Sequence, residues 1–379
     1  MQYFFLGIVV LIYGLLNFYI GLRGLQSLGA QFQINRIIYW IIVFAFSSIY
    51  FIGMLGRRFL PEKLERVFSI LGGYWMAAFV YLLSLVVIID IFRLLDKKFH
   101  MFPQSLKSNG WLVAVAVIAV VAVALSAGTF YAITPKVTSY DISIDKKAGD
   151  VKQLKCAMIS DVHLGEIIGR NRLKEAVKLI NGMEPDIVVI AGDLIDGALE
   201  PVKRGNMLEE LKNINSRLGV YFAMGNHEHF SNSPDEIQSM LEEAGVTVLR
   251  DKTIKVEDSF YLTGREDLSG QNPGFKRAKL DDLLVQADKS LPVIVVDHQP
   301  SGLDEARKAG VDLQMSGHTH GGQFFPINLI TGRMFEEDNG YFRDGSFNLV
   351  VSCGFGTWGP AVRLGSRSEV VELNINFEG

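Results

Sequence analysis

The chain has 379 residues, 49% of them hydrophobic, and a mean hydropathy of +0.23, which is high for a soluble protein. Its formal net charge of −4 gives no electrostatic basis for binding nucleic acid, so we expect no nucleic-acid partner. The two cysteines, Cys156 and Cys353, lie in apolar, strand-like runs, and this favours buried thiols over a disulfide or a reactive pair.

The excess of apolar residues lies in the first third of the chain. Four stretches there lack charged residues and reach the ~20 residues that a helix needs to cross a bilayer: residues 3–22, 37–56, 67–89 and 111–133. A cleaved signal peptide is a poor alternative for the first stretch, because it has no basic start and three further stretches follow. We therefore predict a multi-pass α-helical membrane domain over residues 1–134, embedded in the lipid bilayer of the cell membrane.

Few charges lie near these spans. Asp90 closes the third span and can pair with Arg93 one turn later, which favours an ion pair at the membrane interface. The spans contain no histidine and no cluster of polar residues, so the sequence predicts no transport pathway. Four spans place both termini on one side, where basic residues number seven against six on the other. This small excess only slightly favours a cytoplasmic location for the residues that follow the spans.

The remaining sequence has the pattern of an α/β domain. Residues 135–150 read as a polar connector in which we expect a short strand, and residues 151–379 as the catalytic domain. Helical spacing of apolar residues first alternates with short extended runs, the clearest at 155–160, 187–191, 220–224 and 293–296, and the later sequence is rich in strands. This order indicates two sheets packed together with helices outside.

Side chains that bind metals directly follow five of the apolar runs. They are Asp161 and His163, Asp193, Asn226 and His227, His298, and the pair His318 and His320. The carboxyl ends of successive strands meet at one edge of a sheet, where α/β proteins place their sites. Imidazole and carboxylate groups are the usual ligands of borderline metals. Each residue alone has an ordinary explanation, such as a turn or a core hydrogen bond, but the five groups together predict a metal site.

The series Asp-x-His, Gly-Asp, Gly-Asn-His-Glu, a lone His and Gly-His-Thr-His resembles the calcineurin-like metallophosphoesterases in order and approximate spacing. The continuation Gly321-Gly322-Gln323 and the glycine-rich segment 354–365 resemble a bacterial branch in which a membrane or export segment precedes the catalytic domain. The resemblance covers roughly residues 154–376, and its implied fold is a four-layer α/β/β/α sandwich. The chain departs from that branch at Asp297, Gln299 and His229, and none of these departures removes a ligand.

The resemblance implies a metal-dependent phosphoesterase with two divalent ions. The implied ligands of the first ion are Asp161, His163 and His320. Those of the second ion are Asn226, His298 and His318. Asp193 is the natural bridge, because a carboxylate can bridge two ions and an imidazole cannot. Mixed nitrogen and oxygen ligands suit Mn, with Fe or Zn as alternatives. Two ions clamp the attacking and leaving oxygens, so we expect a metal-bridging hydroxide to hydrolyse a phosphoester or pyrophosphate.

The resemblance also assigns roles to residues that do not bind metal. It implies that His227 protonates the leaving oxygen, which suits a histidine near neutral pH. A purely orienting role, in which His227 hydrogen-bonds the phosphate, stays open. Arg343 and Arg363 are candidates for bidentate binding of the substrate phosphate, although surface arginines are common.

Residues 323–335 follow the metal-binding turn directly. They hold seven large apolar residues and no acid, and Pro326, Asn328 and Gly332 favour a loop. Such an apolar loop is either core or an interaction surface. Because the chain also has membrane spans, we expect an apolar lip, with Trp358 opposite, that admits the tail of a lipid-linked substrate. Hydrolysis of a soluble nucleotide or phosphodiester, and a membrane sensor or scaffold, are the alternatives.

Overall fold

The computed structural model describes residues 2–29, 31–56, 59–103, 109–231, 233–270 and 277–379. These residues divide into two compact units. One comprises residues 1–129 with 359–362, and the other comprises residues 130–358 with 363–379.

Long apolar helices make up most of the first unit. They are α1 (Gln2–Gly29), α2 (Arg36–Gly56), α3 (Glu62–Phe99) and α4 (Gly110–Ile133). Each is long and apolar enough to cross a membrane, and each contains one predicted span. α3 extends beyond its span at both ends, because charged residues end an apolar run without ending a helix. It ends where His100 takes a left-handed backbone conformation and its N–H donates to the Asp96 carbonyl at 2.8 Å.

The described part of the second unit contains two six-stranded sheets. In spatial order the first sheet contains β1 (Lys136–Ile144), β12 (Glu369–Phe377), β2 (Gln153–Ile159), β3 (Ile187–Ala191), β4 (Val220–Ala223) and β5 (Val246–Val248). The second sheet contains β10 (Gly340–Asp344), β11 (Phe347–Val351), β9 (Leu313–Ser316), β8 (Val293–Val296), β7 (Phe260–Gly264) and β6 (Lys252–Val256). The helices of this unit are α5 (Arg170–Gly182), α6 (Leu199–Arg204), α7 (Asn226–Phe230), α8 (Pro234–Glu243), α9 (Leu280–Leu283), α10 (Leu303–Ala309) and α11 (Asn328–Met334).

Three clusters of buried apolar side chains lie between the layers of this unit. Met158 and Val189 of the first sheet share one cluster with Ile294 and Met315 of the second, so the sheets pack face to face. Neighbouring residues on the same strands point to the opposite side, where one cluster joins the first sheet to α5 and another joins the second sheet to α9 and α10. Strands buried on both faces explain the continuous apolar runs of the sequence. The predicted α/β/β/α sandwich is confirmed.

Three segments differ from the sequence-based expectation. β1 pairs with β12 over nine residues, from Lys136 to Ile144, so the expected connector contributes an edge strand to the first sheet. The spacing of Leu208, Leu211 and Leu218 predicts an α-helix, whereas the structure has a 3₁₀ helix, Met207–Asn213. Residues 328–334 form the short helix α11 where a loop was expected, because Pro326 and Asn328 stand at its start rather than in its interior.

Candidate metal centre

The side chains that follow the strands meet at one edge of the sandwich. β2, β3 and β4 are parallel neighbours in the first sheet, and β8 and β9 are parallel neighbours in the second. The predicted ligands follow the carboxyl ends of these five strands, and the structure brings all seven together. A hydrogen bond also links the loops after β9 and β2, since the His318 N–H donates to the Asp161 carboxylate at 3.1 Å.

The first group of ligands contains Asp161, His163 and His320. One ligand atom from each lies within 4.8 Å of the others, and all three residues are buried. His163 Nε2 and His320 Nε2 are 3.1 Å apart, and His320 Nε2 lies 3.5 Å from Asp161 Oδ1. Two imidazole nitrogens and a carboxylate oxygen facing one another at these distances suit a shared divalent cation.

The second group contains Asp193, His298 and His318, whose ligand atoms also lie within 4.8 Å of one another. His298 Nε2 is 3.1 Å from Asp193 Oδ2, and His318 Nδ1 is 2.9 Å from the side-chain oxygen of Asn226. Asp193 belongs to a further group with His163, a ligand of the first set. Its carboxylate therefore stands between the two sets, as a bridging ligand must.

His298 provides a test of whether these residues suit a metal. Its Nδ1 lies 2.7 Å from the Ala191 carbonyl oxygen, which makes Nδ1 the donating nitrogen. Its Nε2 is buried, has no hydrogen-bond partner and faces the Asp193 carboxylate. A metal-binding histidine commonly donates one ring N–H to a backbone carbonyl, which directs its other nitrogen at the metal. His298 has this arrangement, with its other nitrogen facing a carboxylate. The donor set fits divalent ions.

Five of the seven predicted ligands have a left-handed backbone. The φ angles are 52° at Asp161, 54° at His163, 52° at Asp193, 74° at His318 and 53° at His320. A residue with a β-carbon held in this region costs about 1–3 kcal/mol. Such strain concentrates at sites where side chains must converge, and the surrounding sheets hold it in place.

Glycines allow these loops to approach one another. A β-carbon on Gly225 would lie 2.2 Å from Asp193 Oδ1, and one on Gly317 would lie 2.3 Å from Asp161 Oδ2. Both distances are far below van der Waals contact, so only glycine fits. The glycines of the Gly-Asn-His-Glu and Gly-His-Thr-His motifs therefore make room for the carboxylates.

The charges at the site are strongly coupled. Burial favours the neutral form of Asp193, but the neighbouring His298 outweighs burial and holds the pKa of Asp193 far below its usual value. Burial likewise opposes charge on His298, yet Asp193 raises the pKa of His298 well above its ordinary value. Burial, followed by the nearby His163 and Arg363, lowers the pKa of His320 well below its usual value. Protons and a metal ion therefore compete for His298, while His320 stays neutral and ready to bind.

Comparison with known proteins agrees with this geometry. The family model described as calcineurin-like phosphoesterase matches residues 154–322. A metallophosphoesterase from Aquifex aeolicus is 32% identical over 249 residues, and the match covers 64% of this chain and 93% of that protein. This chain belongs to the calcineurin-like metallophosphoesterases.

The name of another relative refers to the membrane. A transmembrane protein with metallophosphoesterase domain from Danio rerio is 28% identical over 353 residues, which is 88% of this chain and 79% of that protein. Among solved structures, a dimetal phosphatase from Danio rerio superposes with a TM-score of 0.33 at 14% identity, over 53% of this chain and 87% of that one. A 5'-nucleotidase precursor from Thermus thermophilus has a TM-score of 0.38 at 14% identity, and the match covers 59% of this chain and 54% of that one.

As a member of this family, the chain is a metal-dependent phosphoesterase, and the family uses two metal ions. The predictions of the family, the fold and the hydrolase class are confirmed. The metallophosphoesterase also has four helices apolar enough to cross a membrane.

Asp196 is a residue of this metallophosphoesterase that our sequence reasoning missed. Its Oδ1 lies 3.0 Å from His227 Nδ1 and 3.4 Å from His163 Nδ1. Burial disfavours its charge, but the two neighbouring histidines, His163 and His227, hold the pKa of Asp196 well below its usual value. A signal was present in Gly192-Asp193-Leu194-Ile195-Asp196, where a second acid follows the first within the same strand-end loop.

Glu228 fixes the loops that carry Asp193 and His227. The carboxylate is buried and accepts hydrogen bonds from the N–H groups of Asp193 at 2.9 Å, Gly225 at 2.8 Å and Ile195 at 2.9 Å. Burial, then the charge of Asp193, raises the pKa of Glu228. The Glu228 carboxylate accepts from backbone N–H groups in the loops after both β3 and β4. Its side chain therefore sets the distance between the two loops.

The structure corrects the expectation for Arg363. This side chain is buried and donates to the carbonyl of Gly356 at 2.6 Å and to that of His320 at 3.3 Å. Its Nη2 also lies 3.2 Å from His320 Nδ1. Because these N–H groups bond backbone carbonyls, Arg363 positions the predicted metal ligand His320 and does not reach out to a phosphate.

The structure also does not bring Arg343 to the site. Arg343 lies on β10 opposite Asn348, and Asn348 lies opposite Leu313 at the first residue of β9. His318 follows the other end of β9, so the strand length separates the two residues. Arg343 is exposed, donates to the Gly345 carbonyl at 3.1 Å and lies 3.8 Å from Asp145. We therefore withdraw it as a substrate ligand.

Proposed function

We propose that this protein is a membrane-anchored phosphohydrolase that acts on a lipid-linked phosphoester or pyrophosphate. In this proposal α1–α4 cross the bilayer as a multi-pass anchor over residues 1–134, and residues 151–379 carry out catalysis on the cytoplasmic side. Labelling of engineered surface cysteines in intact cells tests the orientation. Reaction of Val285→Cys with a membrane-impermeant reagent would place the domain outside.

Two divalent ions fit the donor sets, Mn first and Fe or Zn as alternatives. One ion would be held by Asp161, His163 and His320, and the other by Asn226, His298 and His318. Asp193 would bind both ions. Bound ions supply charge neutralisation of the phosphate and an acidified water. The protein provides the pre-set ligand directions, through Glu228 beside Asp193 and Arg363 beside His320.

In this proposal His227 donates a proton to the leaving oxygen of the substrate. It stands at the start of α7 directly after Asn226, so a phosphate held by the ions lies beside its ring. Burial lowers the pKa of His227, but the hydrogen bond to Asp196 outweighs it and raises the pKa above its usual value. A raised pKa widens the pH range over which His227 keeps the proton that it would deliver to the leaving oxygen. Asp196 holds His227 Nδ1, which leaves Nε2 for the substrate.

The observation that carries the lipid proposal is the exposure of the segment after the metal-binding turn. α11 contains no buried residue, and Ile330 and Met334 are 57% and 71% exposed. The ring of Phe335, at the end of this segment, lies 6.3 Å from the ring of His318. An apolar surface that is not core and that begins at a metal ligand is suited to contact an apolar part of the substrate.

The segment is also held in a defined position. The side-chain amide of Gln323 donates to the Trp358 carbonyl at 2.9 Å and accepts from the Trp358 N–H at 2.9 Å. Trp358 itself is exposed. Gly322 packs so closely that a β-carbon there would lie 2.3 Å from the Cα of Asn328 at the start of α11. These contacts support the proposal that α11 and Trp358 form the two sides of the lip.

The test compares one full-length protein on two substrates in neutral detergent with Mn. Leu329, Ile330 and Met334 are changed together to Ser, and KM is measured for a long-chain alkyl phosphoester and for a short-chain ester with the same leaving group. We expect KM to rise about tenfold or more for the long chain only, in line with loss of ~0.8 kcal/mol per buried methylene. Val285→Ser, at a position 78% exposed and outside the segment, is the control. Equal effects on both substrates would contradict the lipid proposal.

A soluble nucleotide is the second candidate, because one aromatic ring stands beside His227. Phe230 is 58% exposed, and its ring centre lies 5.4 Å from that of His227. An exposed ring next to the expected proton donor can stack against a base. Phe230→Ala should then lower kcat/KM for a nucleotide about tenfold and leave the long-chain substrate unchanged. The opposite pattern would remove this candidate.

A further inference from the structure

The helices of the first unit line a partly open cavity of about 250 Å³. All four contribute to its wall, and it lies at the end of the bundle where α1 and α3 end and α2 and α4 begin. Gly21, Trp75, Leu82 and Val117 are among its mainly apolar lining residues. The metal centre lies in the other unit and does not use this cavity.

Two buried polar atoms on residues that line this cavity, Asn17 Oδ1 and Arg23 Nε, have no hydrogen-bond partner. Asn17 is 1% exposed and lines the cavity. Its Nδ2 donates to the Tyr13 carbonyl at 2.9 Å, whereas its Oδ1 has no hydrogen-bond partner. A buried acceptor without a donor costs about 1–3 kcal/mol. A hydroxyl or an amide N–H of a molecule inside the cavity would therefore satisfy the side-chain oxygen of Asn17.

A charged cluster also lines the cavity. Asp90 accepts from Tyr19 at 2.5 Å and pairs with Arg23 at 2.6 Å and with Arg93 at 3.3 Å. The sequence predicted only the Asp90–Arg93 pair and no polar cluster in the spans, because Tyr19 and Arg23 come from α1 and meet Asp90 only in the folded bundle. Two guanidinium groups share one carboxylate, so the cluster keeps one positive charge. Charged groups in such helices are rare and usually functional.

We propose that this cavity binds a single-tail amphiphile with an anionic head group. The anion pairs with Arg23 and Arg93, a hydroxyl or amide donates to Asn17, and the tail lies among the apolar residues. Size decides against a two-tailed lipid, because about 250 Å³ holds a head group and part of one chain and leaves no room for a second chain beside it. The remaining positive charge would repel a cation. A bare inorganic anion would leave the apolar wall of the cavity without a partner.

The experiment uses the full-length protein in neutral detergent with EDTA, which prevents hydrolysis. The probe is a monoacylglycerol phosphate with a photoreactive group in its single tail, and labelled peptides are identified by mass spectrometry. We expect labelling of peptides from α1, α3 and α4 around Asn17, Leu82 and Val117. Excess unlabelled probe should protect them, whereas monoacylglycerol, which lacks the anion, and inorganic phosphate should not. Protection by monoacylglycerol would overturn the anionic head group.

Matched variants test the position. Ala114 lines the cavity, whereas Ala116 on the same helix is exposed and does not line it. Ala114→Phe should reduce the labelling about tenfold, and Ala116→Phe should leave it unchanged. Equal labelling in the two variants, spread over the outer faces of the helices, would show general lipid contact and overturn the proposal.

Two further variants keep the test independent of a folding defect. Asn17→Leu keeps the side-chain volume and removes the acceptor, and Arg93→Gln removes one positive charge. Each should weaken protection by the unlabelled probe about tenfold while turnover of a soluble phosphoester with Mn stays unchanged. Unchanged protection in both variants would also overturn the proposal, whatever the result for Ala114→Phe.

Discussion

His227 Nδ1 lies 3.0 Å from Asp196 Oδ1, and the same oxygen lies 3.4 Å from His163 Nδ1. One carboxylate therefore contacts both the expected proton donor and a predicted ligand of the first ion. The ring centres of His163 and His227 are 4.6 Å apart, so the two imidazoles face this shared acceptor from neighbouring positions. Asp196 couples the proton donor to the metal site without binding either metal or substrate in our proposal.

Asp196→Asn should change the pH dependence of turnover. Asp196 raises the pKa of His227, so His227 keeps its proton to a higher pH in the native protein. Without the carboxylate the pKa falls, and the alkaline limb of the kcat/KM profile should move to lower pH. The profile is measured with a poor leaving group at saturating Mn. An unmoved alkaline limb would mean that His227 is not the titrating acid.

His227→Ala should lower turnover while both metals stay bound. General acid catalysis contributes about 10²–10⁴-fold, so we expect a loss of that size for an alkyl leaving group. A nitrophenolate departs without a proton, so its loss should be much smaller. Metal content by elemental analysis is the control, and equal losses for both leaving groups would remove the acid role and favour simple orientation of the phosphate.

Asp193→Asn should affect metal binding as well as turnover. The Asp193 carboxylate faces His298 at 3.1 Å and groups with His163, so it can reach both ions. We expect turnover to fall by several orders of magnitude and bound metal to fall below two ions per chain. Two retained ions and unchanged activity would show that Asp193 does not bridge. An amide lacks the charge that a bridging ligand needs.

Arg363→Lys tests the corrected role of Arg363. Lysine keeps the charge but cannot bond the carbonyls of Gly356 and His320 together. Loss of a group that orients a metal ligand typically weakens metal affinity about 10–100-fold. We therefore expect a higher Mn requirement, with KM for a soluble phosphoester nearly unchanged at saturating Mn. A large rise in KM at saturating Mn would restore the original substrate-binding role.

Gly225→Ala should destabilise the second unit and lower activity. The added β-carbon would lie 2.2 Å from Asp193 Oδ1, and overpacking of this kind costs about 1–3 kcal/mol. Gly182→Ala is the matched control, because no atom lies within 4 Å of a β-carbon there. Thermal unfolding and Mn-dependent turnover should both change in the first variant only. Equal stability of the two variants would show that the loop has room.

The sequence alone determined the kinds of layer and the set of candidate ligands. An apolar run of about 20 residues predicts a long helix of the kind that crosses membranes, because a bilayer sets that length. The short apolar runs before Asp161, Asp193 and His298 predicted strands whose ends share one edge, because strands with buried faces read as continuous apolar sequence. Local pattern carries this information, so the fold class and the seven predicted ligands followed from it.

Only the tertiary structure decided the roles that depend on what surrounds a side chain. Arg363 and Arg343 look alike in sequence, yet one is buried beside His320 and the other lies at the far end of the sheet. The role of Asp196 became clear only when the fold placed it against His227, and Asp90 met Arg23 only when α1 packed against α3. These contacts join residues far apart in the chain, and no periodic pattern encodes them, because each depends on how whole elements pack together.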